Sequence, residues 1–212
     1  MTSDVQRYGL IGGTFNPIHW GHIKMAQAAS VRTNLDKVFF VPSFGSLHRD
    51  CEYLAPFNER AIMTQLGIMD YYPHFATEFT KAEERVAMRD QGKNIWESFH
   101  DKYGAKASLS LILGLDRFYD FPDWPLAPAI MDQYDLIVIA RPGWDESNYF
   151  SFIDNMALLK SNRGRIHFVE NPVADISSTL IRQMLAQGQS INDYVPMGVQ
   201  SFIEGNGLYK NE

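Results

Sequence analysis

Short apolar runs alternate with longer amphipathic segments along the chain. Five runs have the length of β-strands, and they cover residues 8–11, 38–41, 108–113, 135–140 and 165–169. The run from Leu136 to Ala140 is continuously apolar, which is typical of a strand buried on both faces. Because strands alternate with helices, the pattern predicts a parallel sheet covered on both sides, a doubly wound α/β domain.

The segments between these runs carry apolar residues at helical spacing. Two of the predicted helix faces are formed by Ile62, Leu66 and Met69 and by Phe152, Met156 and Leu159. A further helix begins near Ser177 and ends at Gly188, since glycine suits the left-handed position after a helix. A helix over residues 95–103 is likewise followed by Gly104.

The length of 212 residues is typical of one domain that buries its own core. We predict a single domain over residues 1–212, in which residues 177–212 either belong to the main body or form a small helical subdomain. The formal net charge is −6, whereas proteins that bind long nucleic acids usually carry clustered Lys and Arg. Polymeric nucleic acid is therefore not expected as a partner, and any phosphate site must be a focused pocket.

Cysteine content and hydropathy bear on the cellular compartment. One cysteine excludes an internal disulfide framework and favours a reducing compartment. The first eight residues lack the apolar run of a signal peptide, and no stretch approaches the ~20 apolar residues of a membrane span. These features predict a soluble, cytoplasmic protein without a membrane partner. They leave the oligomeric state open, a homo-oligomer included.

The most informative segment follows the first predicted strand and reads GGTFNPIHWGH over residues 12–22. Gly12 and Gly13 let the backbone turn sharply and let a phosphate approach without interference from a Cβ. N–H groups in such a turn can bind anionic oxygens, and Thr14 adds a hydroxyl donor. His19 and His22 lie near the start of a helix, where the helix dipole favours negative charge.

Other interpretations of this segment are weaker. A Gly-Gly pair after a strand is often only a turn, and His-x-x-His is also a metal-binding spacing. However, no Cys or acidic third ligand lies nearby in the segment, so a protein-bound metal is not expected. The segment differs from the G-x-G-x-x-G dinucleotide fingerprint, and it is not a Walker A motif because no Gly-Lys-Ser/Thr follows.

A second segment reads ISSTLIR over residues 176–182. Ser177 or Ser178 suits the N-cap of the following helix, where hydroxyl and free N–H groups together form an anion site. Arg182 lies on the first turns and can direct its forked guanidinium at phosphate oxygens. An ordinary capped helix with a solvated arginine is the alternative, and the presence of the first motif weighs against it.

Both segments resemble the signatures of the nucleotidyltransferase superfamily with a His-x-Gly-His motif. Residues 12–22 are most similar to bacterial nicotinate mononucleotide adenylyltransferases, and ISSTLIR resembles the I-S-S-T-x-I-R signature of the same family. Weaker similarities extend over nearly the whole chain, at Pro42, His48-Arg49, Arg60, Met63, Gly114, Asp116, Trp124, Arg141-Pro142-Gly143, Tyr194-Val195-Pro196 and Gly207-Leu208-Tyr209.

The resemblance implies a Rossmann-like nucleotidyltransferase fold that transfers AMP from ATP to nicotinate mononucleotide, giving deamido-NAD and pyrophosphate. It implies Mg²⁺ bound with ATP, through phosphate oxygens and water rather than a protein cage. The implied catalytic residues are Thr14, His19, His22 and Arg182. The implied ATP-binding residues are Gly12, Gly13, Thr14, Phe15, His19, His22, Gly114, Asp116, Arg141, Ile176, Ser177, Ser178, Thr179 and Arg182. The implied contacts with the pyridine mononucleotide are Asn16, His48, Asn94, Asp116 and Trp124.

The sequence departs from the family pattern slightly at Asn16 and more importantly at the turn before Ile95. Gly92-Lys93-Asn94 stands where members usually carry Ser-Tyr-Thr, and Asn16 stands where many carry Asp. The altered turn leaves nicotinamide mononucleotide open as the preferred acceptor. The remaining alternatives are a sister enzyme of the pantetheine-phosphate or cytidylyl type and a nucleotide-binding regulator without catalysis. Retention of both motif histidines and of Arg182 argues against the regulator.

Overall fold

One six-stranded sheet forms the centre of the protein. The structure, a computed structural model, describes residues 5–43, 53–78, 95–140, 145–170 and 176–210. The neighbouring strands are all parallel, in the order β3-β2-β1-β4-β5-β6, which confirms the predicted doubly wound Rossmann-like fold. The strands are β1 Gln6–Gly13, β2 Lys37–Pro42, β3 Phe75–Thr77, β4 Ala107–Gly114, β5 Asp135–Ala140 and β6 Ile166–Glu170.

Helices cover both faces of this sheet. Those in the described ranges are α1 Trp20–Thr33, α2 Phe57–Ile68, α3 Ile95–Tyr103, α4 Leu115–Asp120, α5 Ala127–Gln133, α6 Glu146–Asn155, α7 Ala157–Ser161, α8 Ser178–Ala186 and α9 Met197–Asn206. Short 3₁₀ turns lie at Met69–Tyr71, Phe121–Asp123 and Arg163–Arg165. Within the described part of the chain, every helix is too short or too polar to cross a membrane.

Alternate residues of β5 enter two separate cores, one on each face of the sheet. Ile137 joins the core beneath α1, α2, α8 and α9, whereas Leu136 and Val138 join the core beneath α4, α5 and α6. All three side chains are fully buried, as the continuous apolar run predicts. The prediction of a strand buried on both faces is therefore confirmed.

The C-terminal elements pack into the first of these cores. Ile181 of α8, Val199 and Ile203 of α9 and Leu208 all belong to it. The N–H of Trp20 also donates to the carbonyl of Tyr194 at 3.0 Å, which ties the start of α1 to the C-terminal segment. The domain organisation, with residues 177–212 in the main body or as a small helical subdomain, stays a prediction.

The apolar face predicted through Ile62, Leu66 and Met69 is wrong at Ile62 and Met69, whereas Leu66 packs against the core. Ile62 and Met69 are 41% and 63% exposed, while Met63 and Gly67 on the other side of the helix are buried. Gly67 lets this side of the helix approach the first motif closely, since a Cβ at position 67 would lie 2.9 Å from Cγ2 of Ile18. Helical spacing predicted the helix itself, but it could not identify which of its two partly apolar faces meets the core.

Two further details differ from the predicted elements. The predicted helix through Phe152, Met156 and Leu159 is divided into α6 and α7, because Met156 adopts extended backbone with φ −109° and ψ 109°. The three-residue strand β3 was not predicted, since it is too short to show a period-two pattern. Neither difference moves the carboxyl edge of the sheet, where the motif residues lie.

Candidate active site

The first motif lies at the carboxyl edge of the sheet, between β1 and α1. β1 ends at Gly13 and α1 begins at Trp20, with His19 as the extended N-cap residue at φ −151° and ψ 170°. The strand order reverses between β1 and β4, and ligands of doubly wound folds bind at that switch point. The motif therefore occupies the expected ligand-binding edge, beside the anion-favouring start of a helix.

Two imidazole rings lie against each other at this edge. The ring centroids of His19 and His22 are 3.7 Å apart, and the ring planes differ by 31°. Phe15 meets His22 edge-on at 5.0 Å and so restrains that ring from the other side. Both Nδ1 atoms are buried, and neither has a hydrogen-bond partner among the described residues. The two rings are thus held by packing rather than by hydrogen bonds from their Nδ1 atoms.

Burial keeps both imidazoles neutral in the free protein. It lowers the pKa of His22 from 6.5 to about 4. The pKa of His19 also lies well below its ordinary value, first through burial and then through the neighbouring charge of His22. An anion brought into contact would favour the charged form and raise both pKa values. The pair can therefore donate as neutral imidazoles or gain a proton as negative charge arrives.

We expect polyphosphate binding to be coupled to proton uptake by His22 between about pH 4 and 6.5. In this window the free protein keeps His22 neutral, and a bound anion raises its pKa toward the ordinary 6.5, so the complex holds more protons. Calorimetric titration with pyrophosphate at pH 6, in buffers of different ionisation enthalpy, measures this uptake.

The matched variant His22→Asn controls for protons exchanged by the ligand itself, because its amide donates without titrating. The wild-type protein should take up more protons than the variant. Equal uptake by the two proteins would contradict a role for His22 as the group that responds to the anion.

The second motif contacts the first through side chains at the start of α8. The Ser178 hydroxyl donates to the carbonyl of Pro17 at 2.8 Å. Nη1 of Arg182 donates to the carbonyl of Asn16 at 2.9 Å, and its Nη2 donates to Oγ1 of Thr179 at 3.3 Å. Although the two motifs are far apart in sequence, these hydrogen bonds bring the start of α8 into direct contact with the loop between β1 and α1.

Ser177 is the N-cap residue of α8, as predicted for this pair of serines. Its hydroxyl oxygen accepts a hydrogen bond from the N–H of Leu180 at 3.1 Å. Gly21 completes the contact between the motifs, because a Cβ there would lie 2.8 Å from Nδ1 of His19 and 3.3 Å from the carbonyl of Ile176. A side chain at position 21 would push the histidine pair away from α8.

Asn16 holds the loop from beneath. Its side chain is 2% exposed, and Oδ1 accepts from the Tyr209 hydroxyl at 2.8 Å and from the N–H of Ala55 at 3.1 Å. Its Nδ2 donates to the carbonyl of Tyr53 at 2.8 Å. The amide thereby joins the phosphate loop to residues before α2 and near the C-terminus. Its contact with the pyridine mononucleotide, implied by the resemblance, stays a prediction.

Two other assigned residues, Gly114 and Asp116, lie at the same edge. Gly114 ends β4 and is the N-cap of α4, which places Asp116 in the first turn of that helix. Trp124 follows a 3₁₀ turn, is half-buried, and meets Phe121 at 5.4 Å between ring centroids. Ring stacking by Trp124 stays a prediction. Three assigned residues lie outside the described residues, namely His48, Asn94 and Arg141.

Two residues at this edge were not assigned a role from the sequence. Trp96 lies in α3, and a Cβ at position 12 would be 2.7 Å from its indole ring, so the ring covers Gly12. Arg60 of α2 is fully buried and reaches the carbonyl of Thr14. A signal for Trp96 existed, since it stands two residues after Asn94, the last residue of the altered turn. The R-x-x-M similarity alone gave Arg60 no function.

The donors at this edge suit an anion rather than a metal ion. Among the described residues, no three His, Cys, Asp or Glu side chains converge in a way that could hold a metal. Mg²⁺ prefers oxygen ligands in octahedral geometry, whereas the motif residues offer N–H groups, hydroxyls, imidazoles and a guanidinium. Phosphate oxygens fit these donors.

Known proteins resemble this chain over nearly its whole length. Residues 10–184 match the family model described as cytidylyltransferase-like. The "Probable nicotinate-nucleotide adenylyltransferase" of Syntrophotalea carbinolica is 32% identical, covering 97% of this chain and 98% of that protein. A protein of the same name from Roseiflexus sp. (strain RS-1) is 33% identical, covering 95% and 97% respectively.

Solved structures show the same fold. The Plasmodium falciparum nicotinic acid mononucleotide adenylyltransferase, solved in complex with NaAD, superposes with a TM-score of 0.66 at 17% sequence identity. The match covers 96% of this chain and 97% of that protein. The agreement over full length extends from the sheet to the C-terminal helices.

Proposed function

The chain belongs to the nicotinate-nucleotide adenylyltransferase family, and we propose that it transfers AMP from ATP to nicotinate mononucleotide. The products are deamido-NAD and pyrophosphate. The observation that carries the proposal is the contact between the two motifs, where Arg182 donates to the carbonyl of Asn16 at 2.9 Å, in the same loop that leads to the adjacent rings of His19 and His22. This geometry supplies convergent donors for a chain of phosphates at one edge of the sheet.

The chemistry is a direct displacement at the α-phosphorus of ATP. A 5′-phosphate oxygen of the mononucleotide forms the new P–O bond, the bond to the β-phosphate bridging oxygen breaks, and pyrophosphate leaves with the electron pair. Phosphoryl-type transfers of this kind need alignment and stabilisation of charge more than a protein nucleophile. The described motif residues supply those two functions.

We assign the reacting phosphates to Thr14 and His22 and the leaving oxygens to His19. The two ring centroids are 3.7 Å apart. Because both imidazoles are neutral, each can direct an N–H at a different oxygen without repelling the other. As negative charge grows on the departing pyrophosphate, protonation of an imidazole becomes favourable. The lowered pKa values thus support a role in which the hydrogen bonds from His19 and His22 strengthen as the phosphate oxygens gain negative charge.

We assign the triphosphate tail to the start of α8. Ser178 holds the carbonyl of Pro17 through its hydroxyl, so its N–H rather than its side chain is left for phosphate. Thr179 and Ser177 are exposed at the same helix start, and Arg182 stands one turn further along. Mg²⁺ enters with ATP as part of the substrate complex, coordinated by phosphate oxygens and water.

The pyridine ring is assigned to the side of the site that carries Trp96 and Trp124. Both indoles are half-buried, and Trp96 covers Gly12 at the end of β1. Aromatic rings in such a position bind a planar ring through stacked or edge-to-face contacts. Asp116 lies in the first turn of α4, directly after β4, which pairs with β1, and we assign it to both nucleotides.

We expect nicotinate mononucleotide to be preferred over nicotinamide mononucleotide by about tenfold or more in kcat/KM. N–H donors suit the carboxylate on the ring of nicotinate mononucleotide. The amide of nicotinamide mononucleotide would leave its NH₂ group without an acceptor, which reduces the binding free energy by about 1–3 kcal/mol. Steady-state assays with each acceptor at saturating ATP measure the ratio.

A further assay uses 4′-phosphopantetheine, the acceptor of a sister enzyme, and should give no adenylylated product. Equal values for acid and amide, or a preference for the amide, would mean that the altered turn accepts either ring.

A further inference from the structure

Arg60 is a cation buried at the base of the phosphate loop. Its side chain is 0% exposed, and Nε donates to the carbonyl of Ala55 at 2.9 Å. Nη1 donates both to the carbonyl of Thr14 at 2.6 Å and to that of Ser43 at 2.8 Å. Thr14 follows β1, Ser43 follows β2 and Ala55 precedes α2, so one guanidinium joins three segments at the carboxyl edge of the sheet.

Stability alone does not account for a charge at this position. Removing a guanidinium from water costs several kcal/mol, which its contacts in the protein must offset. An apolar side chain of similar length fills comparable volume without the cost. The guanidinium instead provides fixed geometry, because its planar fork holds several acceptors in one arrangement.

The arrangement fixes the peptide between Thr14 and Phe15. The Thr14 carbonyl points at Arg60, so the N–H of the same planar trans peptide points the opposite way. A hydrogen bond to the carbonyl also polarises the peptide and strengthens its N–H as a donor. In the phosphate loop this N–H belongs to Phe15, the residue that follows the proposed phosphate-binding Thr14.

Phe15 itself needs such a restraint. Its φ is 47°, in the left-handed region that is unfavourable for a residue with a large side chain. Its ring is 1% exposed and meets His22 edge-on at 5.0 Å. The backbone conformation at Phe15 therefore sets the position of the aromatic ring that restrains His22.

We propose that Arg60 is a positioning residue for adenylyl transfer, which holds the Thr14–Phe15 peptide and, through the Phe15 ring, the imidazole of His22. It acts without touching substrate. The effect on turnover rests on the proposed function, whereas the effect on the loop conformation does not. Loss of Arg60 should therefore misplace donors that act in the transition state, while leaving most contacts with the triphosphate tail on α8.

Two substitutions and a matched control test this role. Arg60→Met removes the charge and all donors, and Arg60→Lys keeps the charge but cannot reach three carbonyls with a fork. Thr64→Val is the control, because Thr64 is buried one turn further along α2 and its hydroxyl donates to the carbonyl of Arg60 at 2.7 Å. It removes a buried hydrogen bond from the same helix without touching the loop.

At a temperature where all variants are folded by circular dichroism, Arg60→Met should lower kcat by about 30-fold or more, with KM for ATP changed by less than about threefold. Arg60→Lys should recover part of that loss, and Thr64→Val should stay within about twofold of the wild type. Equal kcat values for Arg60→Met and Thr64→Val would overturn the proposal.

The amide resonance of Phe15 provides a second measurement that needs no turnover. Weaker polarisation of the Thr14–Phe15 peptide should move the Phe15 amide proton upfield in both Arg60 variants and leave it in place in Thr64→Val. If Arg60→Met does not fold, Arg60→Lys decides: wild-type kcat together with an unmoved Phe15 resonance would overturn the proposal. A wild-type protein without turnover would refute the proposed function alone, because the Phe15 shift would still report the loop.

Discussion

Replacing His22 with alanine is expected to lower kcat by about 10²–10³, which is about 3–4 kcal/mol, while ATP affinity changes much less. The reason is that His22 is assigned to oxygens of the reacting phosphates, where charge develops only as the reaction proceeds. Its ring is held between His19 and Phe15, so the donor is already oriented before the substrate arrives. Such preorganised donors contribute mainly to transition-state stabilisation.

Turnover and binding must be measured separately for this variant. Pyrophosphate release gives kcat, and calorimetry with ATP and no acceptor gives the dissociation constant. His167→Ala is a matched control, because His167 is exposed on β6, and it should behave as the wild type. His22→Asn keeps a neutral donor and should retain more activity than His22→Ala. A wild-type kcat in His22→Ala would reduce His22 to a structural residue.

Replacing Arg182 with alanine is expected to act on ATP affinity instead. A hydrogen bond to a charged group contributes about 1.5–3 kcal/mol, so affinity should fall by about 10- to 100-fold. The triphosphate tail makes the same contacts before and during the reaction, and contacts of that kind change binding more than kcat. The loss also includes the bond from Nη1 to the Asn16 carbonyl, which joins the two motifs.

Direct titration with ATP measures the effect of Arg182→Ala. Arg163→Ala provides the control, since Arg163 is about half exposed and pairs with Asp154 on the surface at 3.3 Å. That variant should bind ATP with wild-type affinity. Normal ATP affinity in Arg182→Ala would contradict its assignment to the triphosphate tail. Comparing His22→Ala with Arg182→Ala should separate a defect in kcat from a defect in ATP binding.

The elements that the sequence predicted well are those encoded by local patterns. Apolar runs located five of the six strands, and Ser177 marked the start of α8 through its capping hydroxyl. The two phosphate motifs are local as well, each following a strand and opening a helix. Their convergence followed from a general rule, because the carboxyl ends of parallel strands share one edge of the sheet.

The features that the sequence did not predict depend on packing between distant segments. Arg60 is a charged residue, yet it is fully buried and donates to the carbonyls of Thr14 and Ser43 from distant parts of the chain. The buried amide of Asn16 likewise depends on Tyr209, which is remote in sequence. No local pattern identifies such partners. Every residue has a backbone carbonyl and every tyrosine has a hydroxyl, so the sequence does not show which of these groups will contact Arg60 or Asn16.

Isotopic labelling of ATP tests the central claim, displacement at the α-phosphorus, most directly. The wild-type protein is supplied with Mg²⁺, nicotinate mononucleotide and ATP labelled with ³²P at either the α- or the γ-phosphorus. We predict that the α-label enters the dinucleotide and the γ-label enters pyrophosphate, with the two products in equal amounts. Labelled ADP or free phosphate as the product, or ATP binding without any transfer of the α-label, would contradict adenylyl transfer by this site.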